Sequence, residues 1–162
     1  MTAVAQTSRL IHLEPFTVDD AAALYDRATD TGLSQITREE WMGWAADCER
    51  FGPAYSGFMG DELMAAAGII MRPNNKGDVW AMLSKELCQR YPRVLMRWLK
   101  ECLPLFIETV GFTKLRALAD DNFEAAGRLL EHLGFTRTRR VVWRQGREKE
   151  YRLYIWGRRG NG

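Results

Sequence analysis

LRALADDNFEAAGRLLEHLGF, residues Leu115 to Phe135, carries two different hydrophobic periods joined by a polar turn. Leu115, Ala117 and Ala119 alternate with Arg116 and Leu118, which is the two-residue period of a largely buried strand. Asp120, Asp121 and Asn122 end that strand, and each is a residue type that caps a following helix. Ala125, Ala126, Leu129, Leu130 and Leu133 then recur at helical spacing, and Gly134 supplies a left-handed stop. The stretch reads as strand, polar turn, amphipathic helix and glycine stop, which is one unit of an α/β domain.

Upstream, Pro92 suits the first position of a helix, where no N–H is needed. That helix runs through PRVLMRWLKECLPLFIETVG to Gly111, and Pro104 is expected to kink or break it near Cys102. Lys85 to Tyr91 reads as a polar bridge before it. Asp78 to Ser84 reads as a strand, with Val79, Ala81 and Leu83 on one side and Asp78, Trp80, Met82 and Ser84 on the other. Pro73 to Gly77 is dense in turn residues, and the strands AYSGFMG and ELMAAAGIIMR are joined by the hairpin dipeptide Gly60-Asp61. Thr17 with Asp20, and Thr37 with Glu40, signal two helix starts after a first strand at Arg9 to Phe16. Downstream, Thr136 to Trp143 and Glu150 to Trp156 read as the two strands of a hairpin around Arg144 to Arg147.

The chain has 162 residues, which a single domain over 1–162 accommodates with a full core. Its 46% hydrophobic and 27% charged content is that of a soluble globular protein. A formal net charge of +2 makes no whole-protein case for nucleic acid. From Arg137 onward the arginines outnumber the acids Glu148 and Glu150; they read first as a solvated strand face and second as a basic surface for phosphates. Cys48, Cys88 and Cys102 have no metal-like spacing, and His12 and His132 are the only histidines. MTAVAQTSRL lacks an apolar signal segment, and no apolar run is long enough to cross a bilayer, so a cytoplasmic protein with reduced thiols is expected.

The order β-α-α-β-β-β-α-β-α-β-β, together with Asn122-x-x-Ala125 and Leu130-Glu131-x-Leu133-Gly134-Phe135, resembles the GNAT superfamily of N-acetyltransferases. The resemblance implies an α/β (α+β) fold, a mixed central sheet of about seven strands flanked by about four helices. It also implies acetyl-CoA as cofactor and a small-molecule or protein amine as acceptor. The family's phosphate loop, Q/R-x-x-G-x-G/A, aligns with Gln89-Arg90-Tyr91-Pro92-Arg93-Val94. Pro92 replaces the first glycine and cannot donate a hydrogen bond, and Val94 replaces the small residue. On this reading Gln89, Arg90, Arg93 and Val94 lie at the pyrophosphate. Leu83, Ser84 and Lys85 hold the pantetheine arm through their backbones, and Asn122 fixes it from the other strand. Leu130 stands where many members carry a proton-donating tyrosine. Asp78 and Asp121 are the catalytic candidates, with Glu62 and Asp120 behind them. Trp41, Trp44, Phe58 and Trp80 are either an acceptor pocket or plain core.

Gly68, Gly77-Asp78, Trp80, Ser84, Asn122 and Gly134 are also similar to a group of small bacteriophage proteins with a GNAT-like fold. That likeness implies a virion-associated scaffold with a protein partner and a lost cofactor. Two readings therefore stay open: an acetyl-CoA-dependent N-acetyltransferase, or a catalytically silent GNAT-fold scaffold. Nucleic-acid binding by the basic hairpin stands third. An exposed C-terminal strand would also let two copies pair edge to edge as a homodimer.

Overall fold

The computed structural model describes residues 11–27, 37–120, 124–143 and 150–158. The elements run β1 (Ile11–Pro15), α1 (Val18–Arg27), α2 (Arg38–Arg50), β2 (Ala54–Met59), β3 (Glu62–Arg72) and β4 (Lys76–Leu83). They continue with α3 (Lys85–Arg90), α4 (Pro92–Val110), β5 (Lys114–Asp120), α5 (Glu124–His132), β6 (Thr136–Trp143) and β7 (Glu150–Gly157). The strands form one mixed sheet in the order β1-β2-β3-β4-β5-β7-β6. The expected class and the seven strands are both present.

Local chemistry sets the element ends. Thr17 and Asp20 close a reciprocal capping box: the Thr17 N–H donates to Asp20 Oδ2 at 3.2 Å and the Asp20 N–H to Thr17 Oγ1 at 3.3 Å. Thr37 Oγ1 accepts from the Glu40 N–H at 3.1 Å to start α2. Gly60, with φ +60°, turns the two-residue β2–β3 hairpin. Asn74 and Asn75 take φ of 65° and 59° in the loop between β3 and β4, a conformation asparagine tolerates better than most side chains.

Two layers of helix cover the sheet. On one face, Phe16, Ala21, Leu24, Trp41, Ala45 and Cys48 of α1, α2 and their flanks pack on Leu63, Ala66, Trp80 and Met82. On the other, α4 lays Leu95, Trp98, Leu99 and Cys102 on Met64, Ala65 and Ala67, with Leu129 of α5 and Leu133 just past its end beside them. Lower down that face, Leu103 and Ile107 meet Ile69, Phe112, Leu115, Ala117 and Ala119. The alternation read in β5 is therefore real, with Leu115, Ala117 and Ala119 buried and Arg116 and Leu118 exposed.

Three expectations change. The polar bridge Lys85 to Tyr91 is mostly helix, because α3 takes up Lys85–Arg90. Pro104 does not break α4, which runs unbroken from Pro92 to Val110 with the proline ring exposed. An exposed proline costs the helix one hydrogen bond, that from its own missing N–H to the Lys100 carbonyl. Finally, the C-terminal strand is not an edge. β7 pairs with β5 on one side and β6 on the other, which removes the basis for edge pairing of two copies through it. The edge belongs to β6, where the register slips between Arg137 and Val141, with Thr138 Oγ1 donating to the Leu153 carbonyl at 2.8 Å. A bulge carrying exposed Arg139 and Arg140 discourages strand addition.

Candidate functional site

β4 and β5 are parallel neighbours, yet their ladder has only the pairs Lys76↔Lys114, Gly77↔Leu115 and Asp78↔Arg116. Both strands run on, β4 to Leu83 and β5 to Asp120. The outer edge of β4 stays paired with β3 as far as Leu83↔Ala65, and β5 stays paired with β7 as far as Asp120↔Tyr151. The sheet therefore opens into a gap between two strands that are each held on their far side.

Strand alternation says which backbone groups line the gap. The Ser84 N–H donates to the Met64 carbonyl at 2.9 Å, so Ser84 faces β3, and Leu83 and Ala81 face the gap. On β5, the Thr113 carbonyl accepts from the Arg158 N–H at 3.0 Å on the β7 side. Counting by two from the next residue, Leu118 presents its N–H and carbonyl to the gap. Of the residues expected to hold an arm, Leu83 turns its backbone groups into the gap, whereas the Ser84 N–H is committed to β3. Lys85 opens α3. Ala81 and Leu118 were not foreseen, because alternation gives two faces but not which edge is already paired.

Beyond the gap, Gln89 and Arg90 end α3 and are exposed, not looped around an empty centre; Arg90 lies 3.5 Å from Glu86. Tyr91 precedes α4 with no side-chain cap, and Pro92 is its first residue. The first α-helical bond there runs from the Leu95 N–H to the Tyr91 carbonyl at 3.2 Å. The N–H groups of Arg93 and Val94 thus lie at the positive end of a long helix with no helical acceptor and no capping side chain. Arg93 is exposed and Val94 half-buried. Arg97, one turn further along, has its Nη1 buried with no hydrogen-bond partner among the described residues. Its place four residues after Arg93 puts both arginines on one side of the helix, the one sequence signal that points to it.

Asp78 closes the narrow end of the gap. Its carboxylate receives Arg116 Nε at 2.5 Å and Nη2 at 3.3 Å, and Arg72 Nη1 at 3.2 Å. Partial burial raises its carboxyl above the ordinary range, with the Arg72 charge pulling the other way. A carboxylate clamped by two guanidiniums is an anchor before it is a free base. Glu62 is exposed at the β2–β3 hairpin. Asp121, Asn122 and Phe123 lie outside the described residues, as does the side chain of Asp120. The aromatic candidates are mostly core. Trp41 and Trp80 are buried, and ring contacts run Tyr25–Trp41–Trp44–Trp80–Phe16 at 5.7, 5.3, 6.0 and 5.0 Å. Among the described residues no cluster of His, Cys, Asp and Glu could hold a metal ion, and no helix is long and apolar enough to cross a membrane.

No family model matches the sequence, and no curated protein matches it. Solved structures do match. An acetyltransferase from Streptococcus agalactiae superposes with a TM-score of 0.72 at 11% identity, over 92% of this chain and 99% of that one. A GNAT-family acetyltransferase from Bacillus anthracis gives 0.68 at 11% identity, over 91% and 94%. The spermidine N-acetyltransferase of Vibrio cholerae, solved with CoA and spermine, gives 0.68 at 10% identity, over 92% and 96%. Nothing in these matches supports the likeness to small phage proteins. At such identities the likeness is one of architecture, and it agrees with the parted β4–β5 ladder and the helix start beyond it: the chain has the fold of the GNAT acetyltransferases.

Proposed function

We propose that the protein binds acetyl-CoA in the β4–β5 gap and transfers its acetyl group to a primary amine. The observation that carries this reading is the gap itself, whose walls present unpaired backbone groups of Ala81, Leu83 and Leu118 to an extended ligand. An arm lying there adds hydrogen bonds as an extra strand would. The uncapped start of α4, with the N–H groups of Arg93 and Val94 and the side chains of Arg90, Arg93 and Arg97 around it, suits a pyrophosphate. Pro92 gives no donor and α3 takes the place of an open loop, so the phosphate grip rests on charge more than on backbone.

Acetyl-CoA supplies an activated thioester. The attacking amine would form the new C–N bond while the C–S bond breaks to release the CoA thiolate, which would take up the proton that the amine gives up. Leu130 packs in the apolar layer under α5, so no side chain at that position donates to the leaving sulfur. Asp78 sets the closed end of the gap, and Asp121 and Asn122 remain candidates for the base and for the second grip on the arm.

Calorimetric titration with acetyl-CoA and with CoA tests the reading. Micromolar binding that falls about tenfold or more on changing Arg90 and Arg93 together to Ala supports it. No heat and no thermal stabilisation at millimolar ligand overturns it, and leaves a GNAT-fold scaffold whose partner is another protein.

A further inference from the structure

A cavity of about 550 Å³, broadly open to solvent, lies between α4, the end of α5 and the end of β7, lined by Lys100, Leu103, Pro104, Ile107, Glu108, His132, Leu133, Trp156 and Arg158. It is separate from the gap. Trp156 pairs with Leu115, and the Arg158 N–H bonds the Thr113 carbonyl, so the cavity sits at the start of β5. The gap opens at the other end of that strand, which from Leu115 to Asp120 spans about 17 Å.

The walls have a definite chemistry. Leu103, Ile107 and Leu133 are apolar, and Trp156 adds a flat indole. That indole lies against Gly134, whose φ of +97° is a glycine conformation and whose added Cβ would stand 3.6 Å from Trp156 Cδ1. Lys100, His132 and Arg158 bring basic groups from three different segments, against the single acid Glu108. None of these four side chains has an ion-pair or hydrogen-bond partner among the described residues. Pro104, having no N–H, also leaves the Lys100 carbonyl without its α-helical donor, and both residues line the cavity.

We propose that this cavity is a second ligand site, for a small organic anion with a flat apolar body, such as an aromatic carboxylate. Its volume falls within the range of about 300–1,000 Å³ usual for small-molecule sites. The ring lies on Trp156 and the aliphatic floor, and the anion meets Lys100 and Arg158. The site does not depend on the acetyl-transfer reading.

The test is a titration of the full chain with naphthalene-1-carboxylate, followed by ¹H–¹⁵N NMR, with naphthalene-1-methylammonium as the charge-inverted control. Saturable shifts at the Trp156 indole N–H and along Leu103 to Glu108 are expected, with the carboxylate bound about tenfold more tightly than the ammonium. Changing Lys100 and Arg158 together to Gln abolishes that preference, while acetyl-CoA titrates as before. Glu108→Gln strengthens carboxylate binding, a gain that impaired folding would not produce. Equal affinity for the two probes, or carboxylate binding indifferent to all three substitutions, overturns the proposal.

Discussion

Asp78 and Arg116 form the last pair of the parallel β4–β5 ladder, and their side chains repeat the contact as a two-point ion pair at 2.5 and 3.3 Å. Past this pair the strands part. Arg72, from β3, reaches the same carboxylate, so three neighbouring strands are tied together where the gap begins.

Asp78→Asn is expected to leave the fold intact and to cost at most about 1 kcal/mol, because the ion pairs are partly solvent-exposed. Acetyl-CoA affinity should fall severalfold, since the point where the strands part is no longer held. Thermal unfolding and calorimetry on the same sample separate the two effects, and unchanged affinity would remove Asp78 from the site.

The Asp78 carboxyl titrates above its ordinary value, so its native form holds the proton more tightly than the unfolded chain does. Its contribution to stability is therefore fully present below the unfolded value and is lost as pH rises through the folded one. A side-chain carboxyl NMR titration should place its midpoint above that of a free aspartate. A midpoint at or below the free value would mean that the two arginines outweigh burial.

Gly127→Ala should destabilise, although alanine is the better helix former by about 1 kcal/mol. A Cβ there would lie 2.4 Å from Tyr154 Oη, the tip of a buried ring. A loss of about 1–3 kcal/mol is expected in denaturant unfolding. In a Tyr154→Phe background most of it should disappear, and a loss that persisted would place the strain elsewhere.

Asp20 has two duties. Its Oδ2 accepts from the Thr17 N–H and from Ser56 Oγ, at 3.2 and 2.8 Å, and Ser56 is fully buried. Asp20→Ala should cost about 2 kcal/mol, from the lost cap and the stranded hydroxyl. Ser56→Ala introduced into that variant should cost little or recover stability, which a double-mutant cycle reads directly.

Cys48 and Cys102 are free and buried, and burial, helped by Asp47 and Glu101, pushes their thiols up to about 12 and about 11 from an ordinary 9.0. Both native states hold the proton more tightly than the unfolded chain, so their contribution is complete below pH 9 and declines as pH climbs towards the folded values. With Cys88 changed to Ser, neither thiol should react with Ellman's reagent at pH 8 until the protein is denatured. Fast native reaction would contradict their burial.

Features that depend on a few neighbouring residues were legible before any fold was known. The caps at Thr17 and Thr37, the turn at Gly60-Asp61, Pro92 at the head of α4, and the stops at Gly111 and Gly134 all follow from the backbone preferences of single residues. So does the alternation of β5, which marks its buried face wherever the strand goes. Which edges those strands use is set by long-range pairing. That β7 inserts between β5 and β6, and that Ser84 bonds Met64 so that Ala81 and Leu83 face the gap, are pairings between residues distant in sequence, and local patterns carry no trace of them. α3 was hidden because Lys85–Arg90 is too short to show a helical period. Arg97 was hidden because burying one guanidinium nitrogen on a mostly solvated side of α4 requires covering groups that no spacing on that helix announces.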